Sequence, residues 1–405
     1  MSEKNKQGLA GILLMFALLC NSVPVFSQAF TNSSMGAIYA AFPEVNTTVL
    51  KLIVTVPSLM QLIFPLVSAF LERYISRNKV ITIAFALATV GGVLPALFGN
   101  SIYFIIGCRA VFGAGMGMFA PYAMGLIGAF FEGEMRAKLL GWRIAFANIV
   151  QILFNFIGGI ASNYGWRNSF FGYLVLVPIA IFVLIVIPDA PPIREAQKKE
   201  KRKYKFPAYV ILMIIGNMLF RCLYTTVNTN LGIVINAEGI GSGTLAATVL
   251  SATNVAAFVT GVVYGFIPQR IRKYGTAIGL VALGAALLVW STALAVVPYI
   301  LGGLLVGIGF NIFGINYTNM VLDVCDKEMA TTVMAVSTSI AGLSQFLSPI
   351  IMDFLSSVLK YEGVTGPWRL SATVLLPWGV VMFVAIYFIY RRLDQRKAAA
   401  VTSAE

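Results

Sequence analysis

The chain has 405 residues, 59% of them hydrophobic and only 11% charged, with a formal net charge of +13. A water-soluble domain carries about 25% charged residues, so the composition excludes one and points to a chain solvated mainly by lipid. It has no histidine, the commonest general base, zinc ligand and proton carrier, which argues against an intramembrane enzyme and leaves no basis for a metal or cofactor.

Lipid hydrogen-bonds no backbone, so the spans must be helices or a closed barrel. Barrel strands alternate apolar and polar residues; the runs 210–219 and 280–289 do not. A helical span needs ~20 apolar residues. In chain order the sequence predicts twelve, near 8–30, 47–70, 79–98, 102–126, 139–162, 168–188, 207–229, 244–267, 275–296, 298–320, 330–352 and 369–390. The first run, with Lys4 and Lys6 before it and Phe26-Ser27-Gln28-Ala29 near its end, imitates a secretory signal. Cleavage would leave eleven spans and unequal halves, so it is read as a span. Cys20, Cys108, Cys222 and Cys325 show no paired spacing and read as packing residues.

Of the Lys and Arg outside the span interiors, 23 fall on the side of the termini and four (Lys51, Arg167, Lys360, Arg369) on the other. The positive-inside rule then places both termini in the cytoplasm of a cell whose plasma (inner) membrane holds the chain. This bias accounts for the net charge and leaves no case for a nucleic-acid partner. Arg143, counted with the cytoplasmic side, is expected to snorkel to water from the inner end of the fifth span.

The stretch Ser68-Ala-Phe-Leu-Glu72-Arg73-Tyr-Ile-Ser76-Arg77 returns roughly 200 residues later as Gly265-Phe-Ile-Pro-Gln269-Arg270-Ile-Arg272-Lys273. Each copy is a basic hinge at the second connection of its half. The expected organisation is an N-terminal six-helix bundle (1–188), a charged linker (189–206), a C-terminal six-helix bundle (207–390) and a short tail (391–405).

At these residues the chain resembles the major facilitator superfamily. Its second-connection signature, Gly-x-x-x-Asp-Arg-x-Gly-Arg-Arg/Lys, is matched by Arg73 and Arg77, with Ser68, Glu72 and Ser76 as replacements. An acid and arginine there can latch neighbouring helices, so Glu72, Arg73, Arg77 and, in the second copy, Arg270 are the expected conformational latch. Arg109-Ala-Val-Phe-Gly113-Ala-Gly115-Met-Gly117 is similar to the family's fourth-span Arg-x-x-x-Gly-x-Gly, answered in the second half by Gly303, Gly307 and Gly309. Gly165-Trp166-Arg167 is echoed by Pro367-Trp368-Arg369. The resemblance implies an all-α integral membrane fold, two pseudo-symmetric bundles around a central cavity, lined by the first, fourth, seventh and tenth spans. The fifth span lacks the Gly-Pro signature of drug–proton antiporters, which lowers the case for multidrug efflux.

Charge within the bilayer is costly and commonly marks function. Only Arg109 and Arg221 sit well inside spans; every carboxylate falls at a span end or in a connection, Asp353 coming closest. Asn217, Arg221, Tyr224 and Asn228 share one helical face of the seventh span. With the cavity spans implied by the resemblance, the candidate substrate contacts are Arg221, Arg109, Asn217, Tyr224, Asn21 and Asn311. Asn155 joins them from the polar row Asn148, Gln151 and Asn155 of the fifth span. Arg109 also admits a structural reading, and amide rows can serve as interhelical glue.

Two buried guanidiniums without buried carboxylates suit an organic anion. A neutral, sugar-like solute ranks second, since all five Trp lie near span ends, and a cationic drug third. The expected function is therefore a monomeric secondary or facilitative transporter, working by alternating access, with a counter-transported anion or a proton as partner. A membrane sensor on the same fold is the competing class; the fifteen residues after Tyr390 argue against it.

Overall fold

The computed structural model describes residues 8–190, 207–325 and 327–402. Among the described residues, eleven helices are long and apolar enough to cross a membrane, and a twelfth apolar helix, Gly275–Trp290, is shorter. The first span comprises Leu9–Cys20, Val23–Phe26 and Ala29–Ala41; the second to fifth are Thr47–Leu71, Arg77–Phe98, Ile102–Phe130 and Gly133–Asn163. The sixth comprises Asn168–Phe171, a 3-10 turn Gly172–Val175 and Leu176–Val186. The seventh to twelfth are Ala208–Ala237, Gly243–Val263, Gly275–Trp290, Val296–Val324, Lys327–Val358 and Gly366–Thr402. An even number of crossings puts both ends of the chain on one face, here called the near face; the other is the far face.

Several boundaries differ from expectation. The first span continues to Ala41 rather than stopping near residue 30. Its Ser33 and Ser34 are buried, and their hydroxyls bond the carbonyls of Ala29 and Thr31 at 3.2 and 3.0 Å. Hydroxyls satisfied on their own helix need no water, so a polar stretch can stay helical at depth. The ninth span ends at Trp290, where Ser291 Oγ bonds the Leu288 carbonyl at 2.7 Å. The twelfth helix runs to Thr402, through most of the expected tail. Of the expected linker, only residues 189 and 190 lie among the described residues.

The first span is also broken at mid-depth. Pro24 begins its short middle piece and brings no N–H to the helical ladder. The Ser27 hydroxyl and amide both donate to the Pro24 carbonyl, at 2.7 and 3.3 Å.

The halves repeat one packing scheme. The fourth span packs on the second and third, as the tenth packs on the eighth and ninth. The glycines allow it: a Cβ on Gly113 would meet Pro57 Cα at 2.5 Å, one on Gly115 the Ala84 carbonyl at 2.6 Å, and one on Gly309 the Gly279 carbonyl at 2.7 Å. The Trp-Arg echo performs the same task in both halves. Arg167 reaches Asn100 Oδ1 at 2.5 Å and Arg369 the Ser291 carbonyl at 3.4 Å, each tying the last span of its bundle to the connection after the third.

The bundles meet mainly along three helix pairs: first with seventh, second with eleventh, fifth with eighth. Gly36 and Gly232, each five residues before its helix end, abut so closely that a Cβ on Gly36 would strike the Gly232 carbonyl. Gly159 meets Gly243 in the same way, and Asn163 Nδ2 donates to Thr244 Oγ1 at 2.6 Å. Between the second and eleventh spans, Lys51 Nζ pairs with Asp353 Oδ1 at 2.6 Å, and Thr48 Oγ1 donates to Oδ2 at 2.8 Å. Deeper, Ser58 Oγ donates to Gln345 Oε1 at 3.2 Å. These contacts seal the far half. Outside the seal, a cavity of about 560 Å³ opens over the Lys51–Asp353 pair.

Two outcomes follow for the seal. Gly36→Val should lower stability by about 1–3 kcal/mol through overpacking, read by thermal unfolding in detergent; an unchanged melt would mean the bundles do not touch there. Asp353→Asn should cost about 3 kcal/mol by leaving Lys51, only 3% exposed, without a counter-charge. The pair Lys51→Met with Asp353→Leu should recover most of it, and equal melting of single and double variants would contradict the ion pair.

Candidate functional site

The seventh span presents Arg221 and Tyr224 toward an aromatic wall on the tenth. The Arg221 guanidinium carbon lies 4.8 Å from the Phe310 ring centre, and Tyr224 stacks on the same ring at 4.1 Å. One turn back, Phe220 stacks on Phe313 at 3.7 Å. Tyr317 lies within electrostatic reach of Arg221, and its hydroxyl hydrogen-bonds Ser337 of the eleventh span. Arg221 Nε is buried without a hydrogen-bond partner. Cation–π contact satisfies the face of a guanidinium but none of its edge donors. The edge is therefore available to an acceptor.

The helix can carry this stripe because its other faces are satisfied elsewhere. Ser344 and Ser348 of the eleventh span donate to the Met218 and Cys222 carbonyls, both at 2.6 Å. Trp368 Nε1 donates to the Thr226 carbonyl at 2.9 Å. Asn217 lies on the stripe's face and is 7% exposed; Asn228 is half-buried. Trp378, twelve residues into the twelfth span and 6.4 Å from Phe313, departs from the expectation that every Trp lies near a span end. It fills the space left by Gly216 behind the aromatic wall.

Arg109 is placed differently. It is fully buried inside the first bundle, where Nε donates to the Ile53 carbonyl at 2.9 Å and Nη1 to the Tyr173 hydroxyl at 2.8 Å. That hydroxyl also shares a 2.7 Å hydrogen bond with Thr31, and the guanidinium lies 4.2 Å from the Phe112 ring. The cation thus bolts the second, sixth and first spans together, where a solute in this conformation does not reach. The structure thus gives fully buried Arg109 a structural account, with Nη2 alone left unpaired, and leaves half-buried Arg221 without one.

The remaining expected contacts are dispersed. Asn311 Nδ2 bonds the Ala257 carbonyl, tying the tenth span to the eighth. Asn155 is 3% exposed, and Asn148 bonds the Ile144 carbonyl of its own helix at 2.9 Å. Asn21 is fully buried at the break in the first span, with neither side-chain atom hydrogen-bonded. Gln28, just past the break, donates to the Val54 carbonyl at 2.6 Å.

Two polar pairs escaped the sequence reading. Lys51, counted with the far connections, is buried four residues into the second helix. An acid at the matching height of the eleventh span was the available signal. Arg143, expected at the edge of the fifth span, stands ten residues inside its helix, and its Nε donates to Ser22 Oγ at 3.0 Å. That helix begins lower than hydropathy suggests, at Gly133, and this puts Arg143 at depth.

At the near face the basic hinge is held within its own bundle. Arg77 Nη2 donates to the Pro188 carbonyl at 2.6 Å, and Asn78 Nδ2 to the Ile187 carbonyl at 3.1 Å. The Asp189 carboxylate accepts from the Asn78 and Ala190 amides at 2.9 and 2.8 Å. Slight burial raises the Asp189 carboxyl, but these amides and Arg77 outweigh it and hold it below the usual carboxylate range. Burial pushes the Glu72 carboxyl up, while the Arg77 charge and the Tyr122 hydroxyl pull it back. Arg73 is exposed, and the Arg270 side chain lies outside the described residues.

The chain is 24% identical over 239 residues to the Quinolone resistance protein NorB of Staphylococcus aureus (strain JH9), covering 57% of this chain and 47% of that protein. It spans about half the length of the curated relatives it matches. Among solved structures it resembles the nucleoside transporter NupG (TM-score 0.68, 12% identity, 93% of this chain and 99% of that one). It also resembles a POT family transporter in complex with 5-aminolevulinic acid (TM-score 0.68, 13% identity, 94% and 97%). A bacterial homologue of the human lysosomal transporter Spinster gives TM-score 0.64 at 13% identity, over 95% and 98%. At such identities these likenesses show the fold alone. The family model described as Major Facilitator Superfamily matches residues 9–349, and the chain, a multi-pass membrane protein, belongs to that family.

Proposed function

We propose that the chain carries a small organic anion with an aromatic face, by alternating access, and that Arg221 is its principal contact. The observation that supports this is half-buried Arg221, its guanidinium stacked by Phe310 and its buried Nε unpaired. A carboxylate takes the edge donors in charge-assisted hydrogen bonds. A flat ring continues the stack of Tyr224 and Phe310. A cation meets repulsion there, and no carboxylate forms an ion pair with Arg221 among the described residues.

In this reading the near face is cytoplasmic, by the distribution of Lys and Arg. The structure is then the state closed to the outside, with the Lys51–Asp353 pair as its outer lock and Arg77, Glu72 and Arg73 as inner latch parts. Opening outward requires that pair to separate. The protein works as a monomer, with a second anion or a proton as the counter-transported species.

Likeness to NorB favours a second reading, export of drugs. A quinolone is itself an aromatic carboxylic acid, so such a cargo would use the same Arg221 face.

Thermal unfolding of the purified protein against aromatic carboxylates, sugars and lipophilic cations separates an anionic cargo from a neutral or cationic one. A ligand at about 100 times its Kd stabilises by ~2.7 kcal/mol. The carboxylates should stabilise the unaltered protein and lose that effect in Arg221→Gln; equal stabilisation of both proteins by cations would reject the proposal. Tyr173→Phe, which strips Arg109 of a partner, should cost about 1–3 kcal/mol yet leave ligand affinity unchanged. Loss of affinity in that variant would return Arg109 to the substrate site.

A further inference from the structure

Arg221 is the cation of the anion site proposed above, and the first bundle holds another at depth, Arg143. Arg143 is half-buried on the fifth span and donates only its Nε, to Ser22 Oγ at 3.0 Å. Phe26 lies 5.9 Å from its guanidinium carbon, repeating more loosely the ring-beside-guanidinium arrangement of Arg221. No carboxylate forms an ion pair with it among the described residues. Asn21, next to Ser22 at the break in the first span, keeps an unspent donor and acceptor while fully buried.

Height brings the two arginines together. Ser22 stands thirteen residues after Leu9, where the first span begins, and Arg221 thirteen after Ala208, where the seventh begins. Both positions are therefore ~20 Å along their helices from the near face. A guanidinium bonded to Ser22 lies at the level of Arg221, on the opposite bundle. The first and seventh spans are packed together only further out, at Gly36 and Gly232. The fifth meets the eighth further out too, at Gly159 and Gly243. Both cations thus lie on junction-forming spans, on the near side of the seal.

Two uncompensated guanidiniums at depth are costly to keep apart from negative charge. We infer that Arg143 is a second substrate contact and that the cargo is an aromatic dianion, with one acidic group on Arg221 and the other on Arg143. Such a ligand bridges the bundles at the level where they separate, so each bundle holds one end. Ser22 positions Arg143 through Nε and leaves its terminal nitrogens to the ligand. This inference rests on the Arg221 reading but goes beyond it.

The test compares 2-naphthoate with naphthalene-2,6-dicarboxylate by equilibrium binding to the purified full chain. The dianion should bind the unaltered protein about tenfold more tightly or better, the least that one added charge-assisted hydrogen bond supplies. Arg143→Gln should abolish that preference while leaving 2-naphthoate affinity as it was, and Arg143→Lys should restore part of it. Arg221→Gln should weaken both ligands. If Arg143→Gln keeps the full dianion preference, or if the unaltered protein shows none, the inference fails, and the Arg221 reading survives as long as Arg221→Gln still loses 2-naphthoate. If Arg143→Gln weakens both ligands alike, Arg143 is structural and the inference also fails. If the unaltered protein binds neither compound, both readings fall together.

Discussion

A cation inside a bilayer must be answered by something, because lipid offers neither counter-charge nor hydrogen bond. How each buried cation is answered sorts this molecule into its parts. Lys51 has a carboxylate from the other bundle, and so becomes a joint. Arg109 has a carbonyl, a phenol and a ring from its own bundle, and so becomes a bolt. Arg143 has one hydroxyl, and Arg221 has aromatic faces alone. The less completely the protein answers a cation, the more room it leaves for a ligand. This ordering makes the junction of the bundles, at the level of Arg221, the place where an anion is worth most.

The glycines determine where the bundles can touch. Gly36 on Gly232 and Gly159 on Gly243 bring backbones together only in the far half of their spans. The same halves carry the hydrogen bonds of Thr48, Ser58 and Asn163. Inside each bundle, the glycines of the fourth and tenth spans and the Trp-Arg pairs fix the helices to one another. Each bundle therefore holds its shape while the surface between them can open, which is what rocking about a central site requires.

Much of the fold was legible in the residues. Lipid leaves the backbone few choices, so apolar runs gave the spans, and the returning basic hinge gave the two halves. The fourth-span glycines identified the close packing before any coordinates. The site was only partly legible. Periodicity put Asn217, Arg221 and Tyr224 on one face, but it could not show that Phe310 and Phe313 of a span some ninety residues away form the wall opposite. Depth along a helix could be counted for Arg109, yet enclosure by Ile53, Tyr173 and Thr31 depends on contacts between spans. Hydropathy misplaced Arg143 because the fifth helix extends past its apolar run to Gly133. Lys51 lies within the expected second span, and what the residues did not show is that Asp353 of the eleventh span holds it inside, as Ser22 holds Arg143. The serine-rich end of the first span was missed likewise, since hydroxyls bonded to their own helix no longer behave as polar.

The central claim is that two rigid bundles exchange which face they close around an anion held at Arg221. Spin-label distances in proteoliposomes test it most directly, with one pair at Tyr164 and Glu238 on the far face and another at Tyr74 and Ile271 on the near face, all four exposed. The native cysteines are buried and need not compete for label. On adding an aromatic carboxylate, the account predicts that the population with a longer far-face distance grows as the population with a shorter near-face distance grows, and that Arg221→Gln shows neither shift. Distances that stay fixed, or that lengthen on both faces together, would contradict it.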